Sequence, residues 1–191
     1  MEYVLWYSED RGNSCAILKP QRVPRSFELT GGIPRAKDWP DDVFSKMDPD
    51  YPQNIKLEDS LINTDDLIVS SRPLKEFLEG RGVPCVEYLP ITIMNHKDRV
   101  ASKDYFIIHP VGLQEGLDVD KSGCEWSLID SDTIDDVEQI VIRPSKIDPN
   151  VPLFRLKYYY YPIFVRSDLA EAIINAGFTG IGWDKRVEIS D

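Results

Sequence analysis

Proline and glycine interrupt this chain at short intervals and limit the elements that it can form. Fourteen prolines and eleven glycines are spread over 191 residues, and six of the prolines lie within residues 20–66. Because proline breaks the interior of a helix and both residues favour turns, this composition indicates many loops rather than long helices. We expect strands and short helices joined by many loops, with residues 20–66 largely irregular apart from short helical turns.

The first strand-like run is YVLWY, residues 3–7, and a second, CAIL, follows at residues 15–18. The turn-forming residues EDRGN between them predict a β-hairpin. The apolar run is short and has no basic residue before it, so we expect a strand here and not a secretory signal.

Two later segments share one pattern of strand, short helix, glycine and strand. In residues 67–83, Ser71 is the predicted N-cap of the helix, and in residues 163–178 Ser167 has this role. The segments align at an offset of 95 positions. They are either a structural repeat or two chance instances of the sequence pattern that any strand–helix–strand unit shows.

Together these elements predict an α+β fold with mixed or antiparallel sheets and a few short helices. Hydrophobic residues make up 42% of the chain, enough for a sizeable core. We expect a single domain over residues 1–191, in which residues 1–56 form an irregular N-terminal arm. Trp39, Phe44 and Tyr51 would attach this arm to the rest.

The charge balance indicates the kind of partner. Lysine and arginine number 22 and aspartate and glutamate 33, for a net charge of −11 and a pI of about 4.7. Phosphate repulsion opposes nucleic-acid binding, whereas an acidic surface attracts basic partners. No window of 18 uncharged apolar residues is present, so we expect no membrane span.

Cysteine usage and the lack of motifs narrow the chemistry. The three cysteines are far apart and the two histidines have no partner at metal-ligand spacing, which favours a reduced, cytoplasmic protein without structural zinc. There is no G-x-S-x-G sequence and no glycine-rich phosphate loop, and His109 lies within an apolar run. We therefore predict no enzyme activity, no metal and no cofactor.

The negative charge is concentrated in two acidic segments. The first, Asp38 to Asp66, has nine acidic and two basic residues, and the second, Gly112 to Glu138, has nine and one. They are either solvated loops that confer solubility or surfaces that face a partner. The candidate partner-binding residues are aspartates and aromatic residues of these two segments: Trp39, Asp41, Asp42, Asp48, Asp50, Tyr51, Trp126, Asp130, Asp132, Asp135 and Asp136.

The stretch LDVDKSG begins like a calcium-binding EF-hand loop. Asp118, Asp120 and Ser122 occupy alternate positions and Gly123 follows. The twelfth position, which should hold a bidentate carboxylate, is Ile129. We therefore expect Asp118 and Ser122 to bond the backbone of their own turn, so that replacing Asp118 costs stability with or without calcium.

The run KYYYYP, residues 157–162, allows two interpretations. In a strand, alternate tyrosines face opposite sides, so both pairs could pack in a central strand. Alternatively, one pair could contact a partner protein, since tyrosine is enriched at binding hot spots.

Three segments in order carry a resemblance: DDLIVSSRPLKEFLEGRGVPCVEYLPITI, YFIIHPVGLQEGLDVDKS and LFRLKYYYYPIFVRSDLAEAIINAGFTGIGW. Over Leu57 to Trp183 the chain resembles a family of bacterial immunity proteins against polymorphic toxins, formerly a domain of unknown function and typified by a myxobacterial protein. The resemblance implies a protein that binds and neutralises a cognate toxin without catalysis. A basic toxin would suit the negative charge. The alternatives are a carboxylate-based metal-binding module or enzyme, or a general interaction or scaffold domain.

Overall fold

The computed structural model describes residues 2–190. Its helices are short: α1 is Arg72–Gly80, α2 is Val119–Ser122 and α3 is Ser167–Asn175. The strands are β1 Tyr3–Ser8, β2 Ala16–Ile17, β3 Phe44–Lys46, β4 Ser60–Asn63, β5 Ile68–Ser71, β6 Val86–Met94, β7 Val100–Pro110, β8 Leu113–Gln114, β9 Cys124–Trp126, β10 Ile134–Val137, β11 Ile140–Ile142, β12 Leu153–Leu156, β13 Ile163–Arg166, β14 Ile181–Asp184 and β15 Val187–Ile189. None of the helices within residues 2–190 has the length and apolar composition needed to cross a bilayer.

The strands form two mixed sheets and two small ribbons. The six-stranded sheet has the order β2-β4-β5-β7-β6-β3, and the five-stranded sheet has the order β14-β1-β13-β12-β8. Strand β9 pairs with β10, and β11 pairs with β15. The predicted α+β fold with mixed sheets and a few short helices is confirmed, and strand predominates over helix.

The two strand–helix–strand segments are equivalent in structure. Helices α1 and α3 each have nine residues and begin 95 positions apart, at Arg72 and Ser167. Strands β5 and β6 lie on either side of the antiparallel strand β7, and β13 and β14 lie in the same way on either side of β1. Strands β4 and β12 then add hairpin partners, and β2 and β8 add parallel edge strands. The structure therefore repeats a five-stranded unit, in which β1 from the start of the chain occupies the position of β7.

Each sheet packs against a hydrophobic core on both of its faces. Alternate residues of a strand point to opposite sides, so neighbouring residues of one strand join different cores. In β5, Ile68 joins a central core and Val69 an outer core. In β13, Ile163 and Val165 join the central core and Phe164 a second outer core. The central core also takes side chains from α1 and α3, so it connects the two units.

The outer cores are covered by the loop-rich parts of the chain. Residues between β2 and β4, including Leu29, Val43 and Met47, cover the six-stranded sheet. Residues from the second acidic segment and after it, including Leu117 and Ile134, cover the five-stranded sheet. The two acidic segments consequently contribute to outer cores on different sheets, with the central core between them.

Two local predictions are wrong. Strands β1 and β2 form no hairpin, because β1 pairs within one sheet and β2 within the other. Directly after β1, Glu9 N instead donates a hydrogen bond to Gly180 O, just before β14. Ser71 caps α1 as expected, but Ser167 is the first residue of α3 and Arg166 is its N-cap. The guanidinium of Arg166 binds the Asp168 carboxylate at 2.6 and 2.9 Å and fixes this helix end.

Candidate functional site

The four candidate aspartates of the first acidic segment flank β3, one edge strand of the six-stranded sheet. Asp41, Asp42 and Asp50 are exposed and Asp48 is half-buried. Asp42 forms an ion pair with Arg22. Asp48 Oδ1 accepts a hydrogen bond from the backbone of Asp50 at 3.0 Å, so Asp48 also shapes the loop that carries it.

The aromatic residues of this segment divide into two roles. Trp39 packs against the outer core of the six-stranded sheet, and its Nε1 donates to Pro90 O of β6 at 2.8 Å. Phe44 lies in β3 and pairs with Thr92. Tyr51 is exposed and does not attach the segment to the sheet as expected. Trp39 is therefore an internal anchor, and Tyr51 is accessible to a partner.

The four candidate aspartates of the second acidic segment lie on one hairpin, formed by β9 and β10. Residues 124–137 contain five acidic side chains and no basic one. Ile134 is buried in the outer core of the five-stranded sheet, and its backbone N–H donates to Tyr158 O at 2.7 Å. At the other strand, the half-exposed ring of Trp126 meets the edge of Tyr158 with centroids 5.5 Å apart. The strand ends next to the tip of the hairpin are thus attached to the tyrosine run.

The tip of this hairpin, residues 127–133, exposes two neighbouring aliphatic side chains. Leu128 and Ile129 are fully exposed, at 101% and 98%. Asp130 orders the tip, because its carboxylate accepts bonds from Asp132 N at 3.0 Å and Thr133 Oγ1 at 2.9 Å. These hydrogen bonds lower the pKa of Asp130. Sequence reasoning overlooked Leu128 and Ile129, because an aliphatic pair by itself predicts burial.

The tyrosine run is a loop and not a strand. Strand β12 ends at Leu156 and β13 begins at Ile163, and Tyr158 has a left-handed backbone with φ of 71°. The expectation that alternate tyrosines face opposite sides of a strand is therefore wrong. Tyr160 donates from its hydroxyl to Asp132 O at 3.0 Å, and Tyr161 is exposed. The loop and the acidic hairpin form one continuous surface, which we call the hairpin surface (residues 124–137 and 157–162).

A buried arginine holds the tyrosine loop in place. Arg155 of β12 is fully buried, and its guanidinium donates to the carbonyls of Tyr160 and Asp66, both at 2.7 Å, and to that of Tyr161. Burial lowers its pKa to about 10, so the side chain stays charged at neutral pH. Arginine suits this position because its planar donors can satisfy several carbonyls at once.

The two sets of candidate residues are not brought together. Within residues 2–190, none of the hydrogen bonds, ion pairs or ring contacts joins the residues around β3 to those of the hairpin. They lie over the outer cores of different sheets.

Asp118 is a structural carboxylate. One oxygen accepts from Arg143 Nη2 at 2.6 Å and Lys121 N at 3.3 Å, and the other from Ser190 Oγ at 2.7 Å. Ser122 Oγ accepts from Val141 N of β11 at 3.2 Å and donates to Val141 O at 3.3 Å. The expectation that its side chain bonds the backbone of its own turn is therefore wrong. Asp118 thus connects α2 to β11 and β15, and its oxygens already have donors.

Within residues 2–190, no group of three histidine, cysteine or acidic side chains is arranged to hold a metal ion. His109 is buried, with Nε2 2.8 Å from Ile33 O, and burial lowers its pKa. His109 is therefore a structural residue of β7.

A cleft of about 810 Å³ beside the hairpin surface is lined by aromatic and charged residues, among them Trp6, Tyr7, Tyr161 and Trp183.

The fold and this surface define an acidic α+β protein that carries an exposed, carboxylate-rich hairpin. The sequence model described as "Immunity protein family (Imm11)" matches residues 10–188. The chain therefore belongs to this immunity protein family, and the family resemblance of its three segments is confirmed. The search of curated proteins returned no match.

Proposed function

We propose that this chain is an immunity protein that binds a cognate antibacterial toxin and neutralises it by non-covalent contact. It would act in the cytoplasm of the cell that makes it, without catalysis and without a cofactor. The observation that carries this proposal is membership of the immunity protein family over residues 10–188.

The charge distribution supports a basic toxin as the partner. The chain has a net charge of −11. Among residues 2–190, Asp42 is the one member of the eight candidate aspartates that has an ion pair, so the other seven carry charge that no lysine or arginine side chain pairs with. Uncompensated surface carboxylates accelerate association with a positively charged protein.

The test is co-expression with the protein encoded immediately upstream of this chain. We expect that protein to stop growth when it is expressed alone and growth to resume when this chain is present. The two purified proteins should elute together as a stoichiometric complex, and raised salt should slow their association. Growth arrest that this chain does not relieve, or separate elution at micromolar concentrations, would show that the pair is not toxin and immunity protein.

A further inference from the structure

We propose that the tip of the β9–β10 hairpin inserts Leu128 and Ile129 into an apolar recess on the toxin, and that lysine and arginine side chains rim this recess. This inference rests on the proposed function and assigns the contact to one of the two acidic segments.

The first argument is exposure. Leu128 and Ile129 are the most exposed large hydrophobic side chains of residues 2–190; the next, Phe27, is 72% exposed. Single exposed apolar residues are ordinary. Two adjacent ones at the tip of a hairpin present a convex apolar surface, and burying it against a partner is favourable.

The second argument is order. The tip has its own hydrogen bonds, from Ser127 N to Thr133 O at 2.9 Å and from Asp132 N and Thr133 Oγ1 to the Asp130 carboxylate. The buried Ile134 and the Tyr160 hydroxyl attach the hairpin to the five-stranded sheet. A binding element that is already ordered loses little conformational entropy when it docks.

The third argument is charge, which identifies what covers the tip. The hairpin carries only acidic charges, and these surround the aliphatic pair: Glu125, Asp130, Asp132, Asp135 and Asp136. A basic rim around an apolar recess complements this pattern. A second copy of the same hairpin, or an anionic membrane surface, would be repelled by it.

The residues around β3 provide a matched comparison. They are also acidic, and they include the exposed Ile55, but they have no adjacent pair of exposed aliphatic side chains. They lie over the outer core of the other sheet, so they would remain solvated in the complex.

The test compares serine variants at exposed positions, which should all fold. Leu128→Ser with Ile129→Ser should raise the Kd for the upstream-encoded protein by about 100-fold, which is about tenfold for the lost apolar burial of each side chain. Ile55→Ser and Phe27→Ser, as controls that remove single exposed apolar side chains elsewhere on the surface, should leave the Kd unchanged. Thermal unfolding of each variant should match the wild type.

Hydrogen exchange locates the contact independently. In the complex, amides of residues 125–137 should exchange more slowly, and those of residues 41–51 should not change. If the wild type fails to bind, the proposed function is wrong. If the wild type binds and protects cells but the hairpin serine variant does so equally, the function stands and the insertion is wrong. Loss of a dimer of this chain in the serine variant, with toxin binding intact, would overturn the insertion in favour of self-association.

Discussion

The hydroxyl of Tyr160 donates a hydrogen bond to the backbone oxygen of Asp132, 3.0 Å away and 28 positions earlier in the chain. This bond joins the acidic hairpin to the tyrosine loop. Arg155 holds the same loop from the buried side through the carbonyls of Tyr160 and Tyr161. The orientation of the hairpin tip therefore depends on a short series of contacts that begins inside the five-stranded sheet.

Removing the Tyr160 hydroxyl should loosen the tip without unfolding the protein. For Tyr160→Phe we expect the free energy of unfolding to fall by less than about 1 kcal/mol, because water can replace this partly exposed bond. Amide exchange in residues 127–133 should become faster and toxin binding a few-fold weaker. Tyr161→Phe is the matched control, since the Tyr161 hydroxyl makes no such bond to the hairpin. Equal exchange rates in the two variants would contradict this role for Tyr160.

Arg155 should be essential for stability. Arg155→Met keeps most of the side-chain volume but leaves the carbonyls of Asp66, Tyr160 and Tyr161 without a donor in a buried site. We expect the free energy of unfolding to fall by about 3 kcal/mol, measured by urea denaturation. Arg186→Met is the control, because Arg186 is 88% exposed and pairs only with Asp184, and it should have no measurable effect. A stable Arg155→Met variant would show that the loop finds other donors.

Local patterns in the sequence predicted the local elements well. The pattern of strand, short helix and glycine located α1 and α3, Ser71 correctly marked the start of α1, and the offset of 95 positions between the two segments proved to be a structural repeat. These features depend on residues within one or two turns of each other. Sequence reasoning missed the pairing of β1 with β13 and β14, because strand partners more than 150 positions apart leave no local signal.

The candidate site was only partly accessible from sequence for a related reason. Charge clustering located the acidic hairpin, but exposure of Leu128 and Ile129 follows from where the tip lies, and an aliphatic pair alone predicts burial. The tyrosine run has high β-propensity, yet it forms a loop whose Tyr160 and Tyr161 carbonyls bind Arg155. In each case a contact from a distant part of the chain overrides the local preference.

Asp118 should give the fold a pH dependence. Hydrogen bonds from Arg143 and Ser190 hold the pKa of its carboxyl well below the ordinary value. A folded-state pKa below the unfolded one, about 4, means that the ionised group stabilises the fold at higher pH, and that this contribution is lost as the pH falls below about 4. Asp118→Asn lacks it at every pH.

The thermal midpoint of Asp118→Asn should therefore lie below that of the wild type by a constant amount above pH ~5, and the gap should narrow as the solution becomes more acidic. Added calcium should not change the gap. Asp120→Asn is the control, because the Asp120 side chain is 95% exposed. Its thermal midpoint should equal that of the wild type at each pH. A gap that is constant down to low pH would mean that the Asp118 charge does not stabilise the fold.

The hairpin carboxylates should control the rate of toxin binding. Replacing Asp132, Asp135 and Asp136 together with asparagine should slow association by about tenfold at low salt and flatten its salt dependence, with a smaller effect on dissociation. The matched control replaces Asp41, Asp48 and Asp50 with asparagine, which removes the same charge from the other acidic segment. Stopped-flow measurements over a range of salt would compare the two. An equal loss in both variants would mean that the net charge, and not the hairpin, steers the toxin.

The structural repeat predicts that equivalent glycines have equivalent costs. Gly82 and Gly177 follow the two helices at the same offset, with φ of 64° and 78°, and no atom would touch an added Cβ at either position. Gly82→Ala and Gly177→Ala should therefore each lower the free energy of unfolding by about 1 kcal/mol, through backbone strain alone. Gly80, the last residue of α1, has the same open surroundings without a left-handed backbone. Gly80→Ala should raise the free energy of unfolding by about 0.5 kcal/mol. If the losses of unfolding free energy in Gly82→Ala and Gly177→Ala differed by more than about 1 kcal/mol, the two units would share a backbone fold but not its energetics.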